Sequence, residues 1–236
     1  MSSEHIEANP VASQIVSALK LRKRTILAEE KWKTVPWTLH EKRSKDKLLD
    51  ILADTPSLRE DFDTMKKCTD LALQRAQTER LLERCWSLES DLQKWYAETA
   101  SEMIVDQQFF EDSTEVNLVQ LAAAHLATTY SATCIILYSI LRELVEPLAP
   151  LPARTELRPY ARQIAKTASI FFHPRVGTYR QHLAPFPILI ALRYISSLDP
   201  VEMQEERRWL DSCLAKPEGA MTRSFIQSMQ RQQQRS

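Results

Sequence analysis

Apolar side chains recur at three- and four-residue spacing along much of the 236-residue chain, the period of helices that bury one face. Over residues 12–28, Ile15, Val16, Leu19, Ile26 and Leu27 fall mainly on one side, interrupted by Lys20, Arg22, Lys23 and Arg24. The spacing predicts a short amphipathic helix. In the EKWKTVPWTLHEK stretch that follows, Pro36 ends any helix and turns Val35 toward extended geometry. Trp32 and Trp37 flank that proline, and two indoles so close together are expected to insert into a core groove and lock the N-terminal helix in place. Truncating either to Ala is then expected to cost about 3–5 kcal/mol.

From Ser44 the pattern predicts a short helix, a break at Thr55 and Pro56, and a second helix with Pro56 in its first turn. Beyond Met65, the positions Leu81, Cys85, Leu88, Leu92 and Trp95 repeat at four, three, four and three. Two heptads are short of a sustained coiled coil, so the stripe reads as a long helix packed inside its own domain, with a partner-facing seam as the other reading.

Residues 116–141 hold no Asp, Glu, Lys or Arg over 26 positions (141−116+1). That is long enough to span a bilayer. Asn117, Gln120, His125 and a series of Ser and Thr dilute it, and no basic flank accompanies it, so it reads as a central helix buried on nearly all sides. Three prolines make residues 146–154 a rigid connection. A helix is predicted from about Leu157 to Phe172, then a turn at Pro174 and Gly177, a hydrophobic helix after Pro187, and an amphipathic helix over 201–215 with Trp209 facing in. A last helix covers 220–230. The resulting expectation is one all-α multi-helix bundle over residues 12–230, with residues 1–11 disordered and 231–236 a polar tail.

Composition narrows the chemistry. Only two glycines occur, Gly177 and Gly219, so no phosphate loop, dinucleotide fingerprint or nucleophile elbow can be assembled, since each needs closely spaced glycines. Cys68, Cys85, Cys134 and Cys213 form no C-x2-C pair, and the five His residues show no H-x-x-x-H spacing. No metal, cofactor or disulfide framework is expected. The N-terminus has no secretory pattern. Thirty-one basic and 31 acidic side chains balance to a net charge of zero, which argues against coating nucleic acid or an anionic membrane. Residues 20–47 are nevertheless locally basic, with ten Lys or Arg against four acids.

The E-x-W-K-T-V-P-W segment from Glu30 to Trp37, the following KDKLLDILAD, LLERCWSLESDLQKWY, LVQLAAAHLATTYSATCIILY, I-x-K-T-A-S-I-F-F, F-P-I-L-I-A-L-R-Y and E-E-R-R-W occur in that order. In order and spacing the chain resembles the C-terminal regulatory region of fungal zinc-cluster transcription factors, over roughly residues 14–230. The resemblance implies an all-α regulatory or dimerisation domain in a nuclear protein, in the group rich in regulators of secondary metabolism. Typical members join it to an N-terminal six-cysteine zinc cluster that reads DNA. No such array stands among these 236 residues, and about thirty precede the W-K-T-V-P-W segment, so direct sequence-specific DNA binding is not expected of them.

The functional expectation is a non-enzymatic transcription-regulatory protein, nuclear rather than cytoplasmic. It would act through protein partners, either itself or a zinc-cluster relative, or through a small-molecule pocket between helices, and not at a membrane. The candidate residues are the basic run Lys20, Arg22, Lys23 and Arg24, which reads as a solvated helix face or as a nuclear-import or phosphate-contacting patch; the motif residues Trp32, Pro36 and Trp37; and the stripe Leu81, Leu88, Leu92 and Trp95. Two alternatives stand beside it. One is a biosynthetic-cluster enzyme using His125 or His173 with Glu143 or Glu146, and the other a helical scaffold that binds a full-length relative through the stripe.

Overall fold

The computed structural model describes residues 10–104, 118–145 and 149–233. Helices and short 3-10 turns are its regular elements, and among the described residues there is no strand. The chain divides into two compact units, one of residues 10–100 and 136–156, the other taking in 101–135 and 157–236.

The first unit opens with α1 (Pro10–Leu21), which ends seven residues short of the expected helix over 12–28. Arg22 takes left-handed geometry with φ at 53°. Its N–H donates to the Leu19 carbonyl at 3.3 Å, while the Lys23 N–H donates to the Ala18 carbonyl at 3.0 Å. This paired closure satisfies the last carbonyls of the helix and reverses the chain, a job usually given to glycine. Next come a 3-10 turn at Ile26–Ala28, α2 (Glu30–Thr34) and a second 3-10 turn at Val35–Trp37.

One unbroken helix, α3 (Ser44–Lys66), replaces the two expected on either side of Thr55 and Pro56. Pro56 has no N–H for the carbonyl of Leu52, four residues back. The Thr55 hydroxyl donates to that carbonyl instead, at 2.8 Å. The interruption comes later, at residues 67–70, where Asp70 caps α4 (Leu71–Thr99) by accepting from the backbone of Ala72 and Leu73.

Leu48, Leu49, Leu52, Leu58 and Phe62 of α3 are buried and α1 and α4 both pack on this helix. At about 1.5–3 kcal/mol for each large apolar side chain, such burial is the main stabilising force in the unit. Leu81, Cys85, Leu88, Leu92 and Trp95 are likewise buried, none more than 8% exposed. The stripe is therefore core, and its reading as a partner-facing seam is corrected: the apolar surface it would offer is already covered. Trp95 Nε1 donates to the Ser44 carbonyl at 2.8 Å, fixing the C-terminal part of α4 against the start of α3.

The helix α5 (Leu118–Val145) lends its C-terminal part to this unit, burying Leu137, Tyr138, Ile140 and Leu141. Gln93 donates to the Tyr138 hydroxyl at 3.1 Å. α5 is long and apolar enough to cross a bilayer, yet 83% of its most apolar 18-residue window is buried within the protein. It is a buried core helix, as its sequence suggests. Three of its buried hydroxyls bond back to the preceding turn, Thr128 to the Ala124 carbonyl, Ser131 to Ala127 and Thr133 to Thr129, which offsets the cost of burying them.

In the second unit, residues 118–135 of α5 share a core with α6 (Arg158–Phe171), α8 (Pro185–Ser196), α9 (Gln204–Ala215) and α10 (Ala220–Gln233). The four-residue α7 (Arg180–Leu183) leads into α8. Ala161, Ala165 and Ala168 on α6 are fully or almost fully buried, and side chains this small let neighbouring helices approach closely. Tyr130 and Tyr160 meet edge to face, with ring centroids 6.1 Å apart.

Several boundaries differ from expectation. α8 begins at Pro185 rather than after Pro187, and α10 runs to Gln233, into the stretch expected as a polar tail. Trp209 does not face in: it is 46% exposed, because Leu210, Cys213 and Leu214 form the buried face of α9 and the preceding position lies about 100° round the helix. Pro10 already begins α1, within the stretch expected to be disordered, and residues 1–9 and 234–236 lie outside the described residues.

Candidate functional site

The N-terminal motifs collect along one helix. Four basic residues in ascending order pair with acids of α3 in descending order. Arg22 Nε lies 3.1 Å from Asp63, Arg24 Nη2 lies 2.8 Å from Asp61, Lys33 Nζ lies 2.6 Å from Asp54, and Lys42 pairs with Asp50. Residues 22–42 thus form a strap running antiparallel to α3. On a helix of 3.6 residues per turn, Asp50, Asp54 and Asp61 fall within about 40° of one another, so one acidic edge serves Lys42, Lys33 and Arg24, whereas Asp63 lies about 140–180° round the helix from them and Arg22 reaches a different face.

Glu60 doubles the contact at the basic run. Its carboxylate accepts from Lys23 Nζ at 2.9 Å, from Arg24 Nε at 2.8 Å and from the Arg24 backbone N–H at 3.1 Å. The hydrogen bond from Arg24, joined by that from Lys23, draws the Glu60 carboxyl down to about 2. Asp61 also receives Arg84 from α4, and Asp63 lies 3.7 Å from Arg59. Burial pushes the Asp50 carboxyl up from its ordinary range, and the hydrogen bond from Lys42 pulls it back.

The basic run lies at the surface, with Lys23 and Arg24 exposed and their charges paired. Lys20 is half-buried in the last turn of α1, and Arg22, Lys23 and Arg24 are engaged by three acids of α3. The acids Asp50, Asp54, Glu60, Asp61 and Asp63 were absent from the sequence-based candidates. Their signal was the four-residue step from Asp46 to Asp50 to Asp54, on the polar side of an apolar helix.

The expectation for the tryptophans is corrected. Trp32 is 43% exposed, Val35 63% and Leu39 86%; Pro36 is exposed and Trp37 half-buried. The segment comprises two short turns with Lys33 between the indoles, and ion pairs anchor it where insertion into the core was expected. Lys42 Nζ sits 5.9 Å from the centre of the Trp37 ring, covering it from one side. Hydroxyl contacts hold the turns, with Thr34 Oγ1 donating to the Glu30 carbonyl at 2.8 Å and Thr38 Oγ1 to that of Val35 at 3.0 Å. The outcome is a locally fixed segment that presents apolar side chains to solvent.

Two of the four residues considered for catalysis, His173 and Glu143, are engaged in other ways. His173 Nδ1 accepts from the Arg175 backbone N–H at the start of a 3-10 turn. Glu143 lies 2.8 Å from Lys66 and 3.7 Å from Arg59. His125 stands 143−125 positions before Glu143 on the same helix, a rise of about 27 Å. Glu146 lies outside the described residues. Among the described residues no group of three or more His, Cys, Asp or Glu is gathered as a metal site would require. A shallow depression of about 350 Å³ in the second unit is lined by Ile195, Leu198, Pro200, Glu202, Arg207 and Asp211. Among its charged groups, Glu202 pairs with Arg158 and Arg207 with Ser196 and Asp211, and Arg208 lines it as well.

Comparisons with protein-family models, with curated proteins and with solved structures found no match to this chain.

Proposed function

We propose that the chain is a non-enzymatic transcription-regulatory domain that works through protein contacts in the nucleus. The observation that carries the reading is the strap itself. It holds the W-K-T-V-P-W segment by ion pairs and leaves Trp32, Val35 and Leu39 outward, the arrangement of a surface made to meet another protein. The order of motifs shared with the regulatory region of fungal zinc-cluster factors supports the same reading and points to secondary-metabolism genes as its targets. Direct reading of DNA sequence is left out of the proposal, because these 236 residues hold no six-cysteine array.

Deletion of the gene, followed by transcript profiling and by imaging of a tagged copy, tests this. The expected result is a nuclear protein whose loss changes the transcription of a defined gene set. An extranuclear protein whose loss leaves transcripts unchanged would overturn it.

A further inference from the structure

We propose that Glu60, Asp61 and Asp63 of α3 are built-in competitors for Arg22, Lys23 and Arg24 of the basic run 20–24, holding a nuclear-import signal in a form that its receptor cannot read. The inference rests on the reading of the chain as a nuclear regulator. An acidic-groove receptor takes a basic segment as extended chain, with successive side chains reaching separate subsites. The run is not extended here. Lys20 lies in the last turn of α1, Arg22 is left-handed, the Arg24 backbone N–H is bound to Glu60, and Thr25 Oγ1 accepts from Leu27 N to begin the next turn.

Its charges are committed in the same way. Asp63, Glu60 and Asp61 engage Arg22, Lys23 and Arg24 at 2.8–3.1 Å. These carboxylates are themselves 18–34% exposed, whereas the basic side chains are 41–71% exposed. The contact is thus held at the surface by charge rather than by deep burial. Ion pairs of this kind are individually weak and screened by salt, so the strap can release without the unit unfolding. A receptor offering its own acids would replace Glu60, Asp61 and Asp63 one for one.

Trypsin, which cleaves after extended Lys and Arg, reads the release directly. The intact chain is digested briefly at low and high salt, with protease activity normalised on a small substrate, and cuts at residues 20–24 are scored by mass. The expected result is that Glu60→Gln, Asp61→Asn and Asp63→Asn together speed cleavage at the run about tenfold relative to cuts elsewhere. Salt should do the same to the native chain and add little to the triple variant. Cleavage that responds to neither overturns the proposal. If the triple variant does not fold, the salt series on the native chain decides alone.

A second readout is the nuclear-to-cytoplasmic ratio of the chain fused to a cargo too large to diffuse through nuclear pores. It should rise in the triple variant and fall when Lys20, Arg22, Lys23 and Arg24 are changed to Ala. Faster cleavage with no change of ratio in either variant would mean that the strap opens but its run is no import signal, and the proposal would fall with that reading.

Discussion

The Thr55 hydroxyl donates to the Leu52 carbonyl at 2.8 Å, occupying the acceptor that the following Pro56 leaves without a backbone partner. Both residues are buried in the middle of α3, where an unsatisfied carbonyl costs about 1–3 kcal/mol. Thr55→Val keeps the shape and removes the donor, so it should destabilise the chain by about that amount. Pro56→Ala restores an N–H, and in that background the same change should cost markedly less. A double-mutant cycle by chemical denaturation measures the coupling.

Glu60 sets an acid limit on the strap. Its carboxyl is drawn from an ordinary 4.5 to about 2 by Arg24 and Lys23. A carboxylate with a lowered native pKa contributes stability that is present above the unfolded value and lost as pH falls through the native one. The contribution should therefore fade between pH 4.5 and 2. Carbon-detected NMR titration should place the Glu60 midpoint near 2, and Glu60→Gln should flatten the stability profile across that window.

The thiols should divide by burial. Cys85 is fully buried and its thiol is pushed up to about 12 by desolvation, against the pull of Arg84. Burial raises Cys213 as well, Cys134 is fully buried, and Cys68 is half-exposed. Since the thiolate is the reacting species, a thiol reagent at pH 8 should modify Cys68 rapidly in the native chain and the other three only after unfolding. Peptide mass mapping reads the order.

Both glycines should resist substitution, for different reasons. A Cβ at Gly219 would come within 2.5 Å of the Leu214 carbonyl oxygen and 2.7 Å of its Cα, so the backbone itself must shift. Gly177 has open space around it, but its φ of 57° with ψ of −138° is territory of glycine alone. Gly177→Ala should cost about 1–3 kcal/mol through strain, and Gly219→Ala at least about as much through overpacking. Denaturation midpoints of the two variants check this.

The helices with an uninterrupted apolar period were legible in the sequence. The burial of α5 and of the α4 stripe and the span of α6 follow from the spacing of their apolar positions. What escaped was decided by single polar contacts. Pro56 reads as a break until the Thr55 hydroxyl supplies the missing donor, and α1 ends at Leu21 because Arg22 adopts a conformation that sequence assigns to glycine. Trp32 and Trp37 look like core residues in isolation. Their lysine neighbours take the anchoring role because Asp50 and Asp54 lie opposite, and a pairing between residues 22–42 and 50–63 depends on a register that no local pattern carries. For the same reason the basic run was legible as a candidate while its acidic counterpart was not.

The outward face of the strap carries the functional account. Val35 is mostly and Trp32 partly solvent-facing, so Trp32→Ala with Val35→Asp should leave the fold intact, at a cost of about 1–3 kcal/mol. The most direct measurement tethers the whole chain to an unrelated DNA-binding module upstream of a reporter gene and compares it with this double variant, at equal expression and with matched melting curves. The tethered chain is expected to change reporter transcription several-fold, and the variant to lose the effect. A tethered chain that leaves the reporter at the level of the bare DNA-binding module would contradict the proposed function.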